Sequence, residues 1–210
     1  MGSCCSHSHA SFDGMSADYK RRLWIVIALN AGMFFVEMTA GQVARSQALQ
    51  ADALDFLGDA LTYGLSLAVI GASVTWRTNA ALAKGVSLSL MGLFVLGMTV
   101  YRVVVIGVPE AEVMGVVGVM ALAANLASVL LLMRYKDGDA NVRSVWLCSR
   151  NDAIGNVAVM MAAGAVWATG TGWPDLVVAA AMAALFLSSS WQIVTQALSE
   201  KRAEAAAAAE

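Results

Sequence analysis

Long apolar runs alternate with short polar breaks along almost the whole chain. Six runs approach the ~20 residues that a helix needs to cross a hydrocarbon layer. They lie near Leu23–Val43, Ala51–Val74, Gly85–Ile106, Val113–Met133, Val142–Thr169 and Leu176–Leu198. Turn signals stand between them: Arg45-Ser46, Trp76-Arg77-Thr78-Asn79, Pro109-Glu110, Lys136-Asp137-Gly138-Asp139 and Gly170-Thr171-Gly172-Trp173-Pro174. The pattern predicts an all-α membrane protein, a bundle of six transmembrane helices over residues 23–198. Six buried helices of a soluble bundle fit poorly, because their solvent faces would be apolar all round. Residues 1–22 read as a polar N-terminal tail and residues 199–210 as a short closing tail. The apolar run after the first tail is too long for a cleaved signal peptide, so it reads as a retained span.

Composition agrees with this class. Hydrophobic residues make up 59% of the chain and charged ones 13%, about half the charged share of a soluble domain. The net charge of −2 points to no nucleic acid or other polyanionic partner; the lipid bilayer is the expected surrounding. Lys and Arg fix a direction. With the N-terminus in the cytoplasm, Lys20, Arg21, Arg22, Arg77, Lys84, Arg134, Lys136, Arg143, Lys201 and Arg202 all fall on that side, and only Arg45 in an outer loop. Both termini are therefore expected in the cytoplasm. The three cysteines, Cys4, Cys5 and Cys148, imply no disulfide framework.

Acids inside the apolar runs carry the chemistry. A charged residue at the bilayer centre costs at least ~2.5–3.5 kcal/mol and is a functional candidate by default. The second run holds Asp55-x-x-x-Asp59 and the fifth holds Cys148-x-x-x-Asp152. Spacing of four puts each pair on one helix face. The second and fifth helices run antiparallel, so the two pairs face each other at matched depth and form a natural tetrahedral site for a divalent cation.

The pattern resembles the cation diffusion facilitator family of divalent-metal/proton antiporters. The matching stretches are Asn30 and Glu37, then Ser46-Gln47-Ala48-Leu49-Gln50-Ala51-Asp52-Ala53-Leu54-Asp55-Phe56-Leu57-Gly58-Asp59, then Asn125, then Asn141-Val142-Arg143 leading to Cys148-x-x-x-Asp152-Ala153-x-Gly155, and finally Ser190-Trp191-Gln192. The resemblance implies that Asp55, Asp59, Cys148 and Asp152 hold the four ligand positions. It also implies a transporter rather than an enzyme, a bacterial inner (plasma) membrane location, and a homodimer. Two departures stand out. Many members carry His where this chain has Asp55 and Cys148. Members usually add a cytoplasmic metal-sensing domain after the sixth span, whereas this chain stops at Glu210; a short member without that regulatory domain is expected, with dimer contacts supplied by membrane helices.

The ligand set narrows the cargo. Three aspartates alone suit hard ions, and a thiolate shifts preference toward Zn2+, then Cd2+, with Co2+, Ni2+ or Fe2+ behind. No prosthetic group is expected. Four ionised ligands would place −4 in a low dielectric, so protons should share the ligands and leave as metal enters. That exchange is a physical route to antiport, with H+ as the coupling ion.

Neighbouring residues have blander alternatives. Asp52, one turn outward of Asp55, either relays protons or is a hydrogen-bonded structural acid. Asn30 and Glu37 share a face and read as polar glue or a proton path. Asn125 and Asn156 read as hydrogen-bonding partners between helices. Arg150 points away from Cys148 and Asp152. Cys4, Cys5, His7 and His9 form a Cys/His cluster that either captures metal or is incidental. Two rival functions remain. One is a non-transporting membrane metal-binding or sensor subunit. The other is an intramembrane aspartyl protease, disfavoured because Phe56-Leu57-Gly58-Asp59 lacks the first glycine of a Gly-x-Gly-Asp pattern.

Overall fold

The computed structural model describes residues 16–68, 74–105, 107–137 and 140–207. The described residues form six α-helices and one short 3-10 turn: α1 (Ala17–Val43), α2 (Gln47–Ala68), α3 (Val74–Val104), α4 (Ala111–Leu132), η1 (Met133–Tyr135), α5 (Ala140–Thr169) and α6 (Trp173–Ala207). All except α2 are long and apolar enough to cross a membrane. The exception has a chemical reason: α2 carries Gln47, Gln50, Asp52, Asp55 and Asp59 in two-thirds of its length.

Several ends differ from the sequence expectation. The polar tail is helical from Ala17, where Ser16 caps α1 by accepting the Tyr19 N–H at 3.2 Å. The closing tail continues α6 as far as Ala207. Trp76-Arg77-Thr78-Asn79 is not a turn but the start of α3. Lys84, expected in a loop, therefore stands ten residues into that helix, about 15 Å along its axis. The other breaks fall where polar or Gly/Pro residues are. Gly170 (φ 64°) ends α5, its N–H reaching the Val166 carbonyl at 2.8 Å. Pro174 sits in the first turn of α6, where its missing N–H costs nothing.

The helices run alternately up and down. The α1–α2 and α4–α5 hairpins join into a four-helix group through α1–α4 and α2–α5 contacts, and the α3–α6 pair leans on this group through α2 and α5. Register follows from close approaches. A Cβ on Gly41 would meet Gln50 Cγ at 2.9 Å, and one on Gly118 would meet Met160 Cγ at 3.0 Å. Met33, Phe56 and Ala121 form one buried cluster, and the Tyr63 and Ser149 hydroxyls lie 3.3 Å apart. These pairings bring α1 residues 30–37, α2 residues 52–59, α4 residues near 121 and α5 residues near 155 to overlapping depths.

The outer faces are apolar: Phe35, Val104, Met161 and Leu185 are all exposed. Exposed Trp173 and Trp191 stand 18 residues apart on α6, about 27 Å along the axis. That matches a hydrocarbon layer with tryptophans at both boundaries. We call the end holding Ala17 and Ala207 the terminal end and the opposite end the far end. At the terminal end, Asp18 pairs with Arg22 at 3.0 Å and accepts the Tyr135 hydroxyl at 2.5 Å, tying α1 to η1.

Candidate metal site

Asp55 and Asp59 leave α2 on the face turned to α5, and Cys148 and Asp152 leave α5 on the facing side. All four line one cavity of about 470 Å³. The Asp152 carboxyl is within hydrogen-bonding reach of both Asp55 and Asp59. Cys148 lies beside Tyr63, the next residue on the α2 acid face. Carboxylates this close need a shared proton or a cation between them. As they stand the four do not close into a ligand shell: among the described residues no three His, Cys, Asp or Glu side chains are drawn tightly enough to hold an ion.

Three features of the cavity were not read from the sequence. Buried Tyr63 donates its hydroxyl hydrogen bond to Asp59 Oδ2 and fixes that carboxylate. Its signal was present, because Asp55, Asp59 and Tyr63 continue one i,i+4 stripe. Lys84 from α3 also lines the cavity, the one cation among the described residues of its lining. Finally, α6 supplies a wall that includes Phe186, Ser189, Gln192 and Gln196, so the cavity lies among four helices and not between α2 and α5 alone.

The cavity is polar toward one end only. It runs from Asp55, Gly155 and Met182 past Asp59, Asp152 and Cys148 to Lys84 and Gln196, toward the terminal end. On the far side it is stopped by a buried apolar cluster that includes Leu49, Met114, Val159, Val166, Ala179 and Phe186.

The flanking candidates lie outside this lining. Glu37 is 0% and Asp52 1% exposed, and their carboxyls are within hydrogen-bonding reach of each other between α1 and α2. Among the described residues neither Glu37 oxygen, nor Asp52 Oδ2, has a hydrogen-bond donor. Asn30 donates to the Val26 carbonyl at 2.9 Å, and its own oxygen has no partner among the described residues. Asn125 and Asn156 are buried. Among the described residues the Asn125 side-chain oxygen and both Asn156 side-chain polar atoms have no hydrogen-bond partner, so the expected bridge between helices is not seen for Asn156. Arg150 is exposed, with its guanidinium 5.5 Å from the Trp146 ring centroid, pointing away from the acids as expected. Cys4, Cys5, His7 and His9 lie outside the described residues.

Comparison with known proteins agrees with this architecture. Residues 23–200 match the model of the cation efflux transmembrane domain. The chain is 27% identical to the zinc transporter ZitB of Escherichia coli over 93% of its own length and 66% of that protein's. It is 26% identical to the metal cation efflux system protein CzcD of Cupriavidus metallidurans over 94% of its own length and 65% of that protein's. It is 22% identical to a cadmium, cobalt and zinc/H(+)-K(+) antiporter of Bacillus velezensis over 92% of its own length and 64% of that protein's. The chain thus spans just under two thirds of the length of these relatives. The match across nearly all of the helical region, with acids paired on α2 and α5, makes this chain an integral multi-pass membrane protein belonging to the cation efflux family, the cation diffusion facilitators.

Proposed function

We propose that the chain exports a divalent transition-metal cation, Zn2+ foremost, in exchange for protons. Cd2+ and Co2+ are the next cargoes, and Ni2+ and Fe2+ lower ones. The observation that carries this reading is the convergence of Asp55, Asp59, Cys148 and Asp152 on one cavity, with Lys84 the one cation described in its lining. Three carboxylates and one thiolate suit a borderline dication. The terminal end, with Lys20, Arg21, Arg22, Arg134, Lys136, Lys201 and Arg202 near it, is the cytoplasmic end of a six-span arrangement in an inner membrane. α2 then spans with Asp55 and Asp59 turned into the cavity and Asp52 buried against α1, which removes the cost of placing them against lipid.

In this cycle a dication enters from the terminal end and displaces protons held among the four ligands, because a bound ligand must be deprotonated. The ligands draw in around the ion, the bundle rocks, and the site opens at the far end. Protons re-enter the carboxylates there and release the metal. The Glu37–Asp52 pair, buried with no neutralising cation described beside it, is the proposed second proton carrier. Asn30 and Asn156 flank the route as polar neighbours. Support for metal as cargo comes from relatives named as zinc, cadmium and cobalt transporters, one of them an antiporter.

The test is metal flux in proteoliposomes under an imposed pH gradient. The wild type is expected to move Zn2+ against the proton flow, and Asp59→Ala to abolish that movement. Metal binding with proton release but no flux would instead indicate a sensor subunit and overturn the transport reading.

A further inference from the structure

The far end of α2 is capped by a residue that no candidate motif included. Asp175, in the first turn of α6 and 2% exposed, accepts hydrogen bonds from the Ser46 hydroxyl at 2.5 Å, the Gln47 N–H at 2.7 Å and the Ala48 N–H at 3.0 Å. The Ser46 oxygen in turn accepts the Leu49 N–H at 3.0 Å. One carboxylate from another helix therefore satisfies two of the orphan donors at the α2 start and faces the positive end of its dipole. Backbone contacts also tie this end together. The Glu110 N–H reaches the Ala44 carbonyl at 2.9 Å, and Gly172 approaches the Gly107 carbonyl so closely that a Cβ would meet it at 2.8 Å.

We propose that Asp175 is a positioning residue that latches the far end of the bundle shut. The proposal rests on the alternating exposure of the transport cycle above. α2 and α6 are two walls of the cavity. In this structure they are parted enough to admit that cavity toward the terminal end, and bonded to each other at the far end, where the apolar cluster also closes. Exposure of Asp55 and Asp59 to the far side requires these walls to separate there. Separation breaks the Asp175 bonds and leaves a carboxylate and two backbone N–H groups to find water. The latch thus weights the equilibrium toward the terminal-open state, and bound cargo must offset it.

Cys148 reports the sidedness directly, since it lines the cavity and is a free thiol. With Cys4 and Cys5 replaced by serine, a membrane-impermeant maleimide is applied to either face of sealed vesicles without metal. The expected result is labelling of the parent protein from the terminal side. Asp175→Asn should raise the far-side rate relative to the terminal-side rate about tenfold, and Ser46→Ala, which removes one of three bonds, about threefold. Retained monodispersity in detergent shows that each variant folds. If Asp175→Asn does not fold, Ser46→Ala decides alone. An unchanged ratio in the folded variants overturns the latch. The assay needs no metal flux, so its failure and the failure of the transport reading are distinct outcomes.

Discussion

Removing one oxygen from Tyr63 should weaken metal binding without unfolding the bundle. The Tyr63→Phe change deletes the hydroxyl that donates to Asp59 and approaches Ser149 at 3.3 Å. The ring stays, and it packs with Leu23, Val26, Leu132 and Val145 in a buried cluster, so little apolar contact is lost. A hydrogen bond to a charged group is worth about 1.5–3 kcal/mol. At 1.4 kcal/mol per factor of ten, that translates to a roughly 10–100-fold loss of affinity, which is also the usual cost of losing the group that orients a metal ligand. The gap should widen as pH falls, because a proton competes with the metal for the Asp59 oxygen that Tyr63 no longer holds. The assay is Zn2+ competition against a chromophoric chelator in detergent, with Cys4 and Cys5 replaced by serine. A melting curve on the same samples checks the fold. Affinity within about twofold of the parent, with the same melting temperature, would refute the claim that Tyr63 orients Asp59 for the ion.

Three further outcomes follow from the same geometry. Cys148→Ser should weaken Cd2+ and Zn2+ binding more than Mn2+ binding, measured by the same competition; an equal loss for all three ions would remove the thiolate from the selectivity argument. Glu37→Gln should lower the protons released per metal bound, read with a pH dye, while changing affinity by less than about threefold; an unchanged proton count would take the Glu37–Asp52 pair out of the cycle. Gly41→Ala places a Cβ 2.9 Å from Gln50 Cγ and 3.0 Å from the Gln50 backbone nitrogen, and should destabilise the α1–α2 hairpin by about 1–3 kcal/mol; an unshifted thermal melt in detergent would show that the hairpin yields freely.

The helical layout was legible because a membrane solvent leaves so few options. Apolar runs of about 20 residues with Pro109, Gly170 and Pro174 at their breaks gave helices close to their observed places. The ends were less legible for a physical reason. Helices continue beyond the hydrocarbon layer, so Ala17 through Arg22 and residues 199–207 stay helical although polar or charged. The same cause hid Lys84, whose charge suggested a loop although α3 passes through it into the cavity lining.

That Asp55, Asp59, Cys148 and Asp152 share one cavity was legible, because acids are costly in apolar helices and an i,i+4 repeat fixes which face they share. Residues that act through others carry no such cost signal. Tyr63 is an ordinary aromatic in an apolar run, and only its step of four from Asp59 marks it. Asp175 looks like a solvated first-turn acid beside Trp173-Pro174, where acids are common. That its carboxylate caps a different helix is a fact of packing over a separation of 127–129 residues, beyond what local pattern carries.

The transport reading requires α2 and α5 to grip one dication together. The decisive measurement is X-ray absorption at the zinc edge, on protein with Cys4 and Cys5 replaced by serine and loaded with about one Zn2+ per chain. One sulfur at about 2.3 Å with oxygens at about 2.0–2.2 Å is expected. The sulfur signal should vanish in Cys148→Ser, and the oxygen shell should thin in Asp59→Ala. A spectrum without sulfur, or one that neither substitution alters, would contradict it.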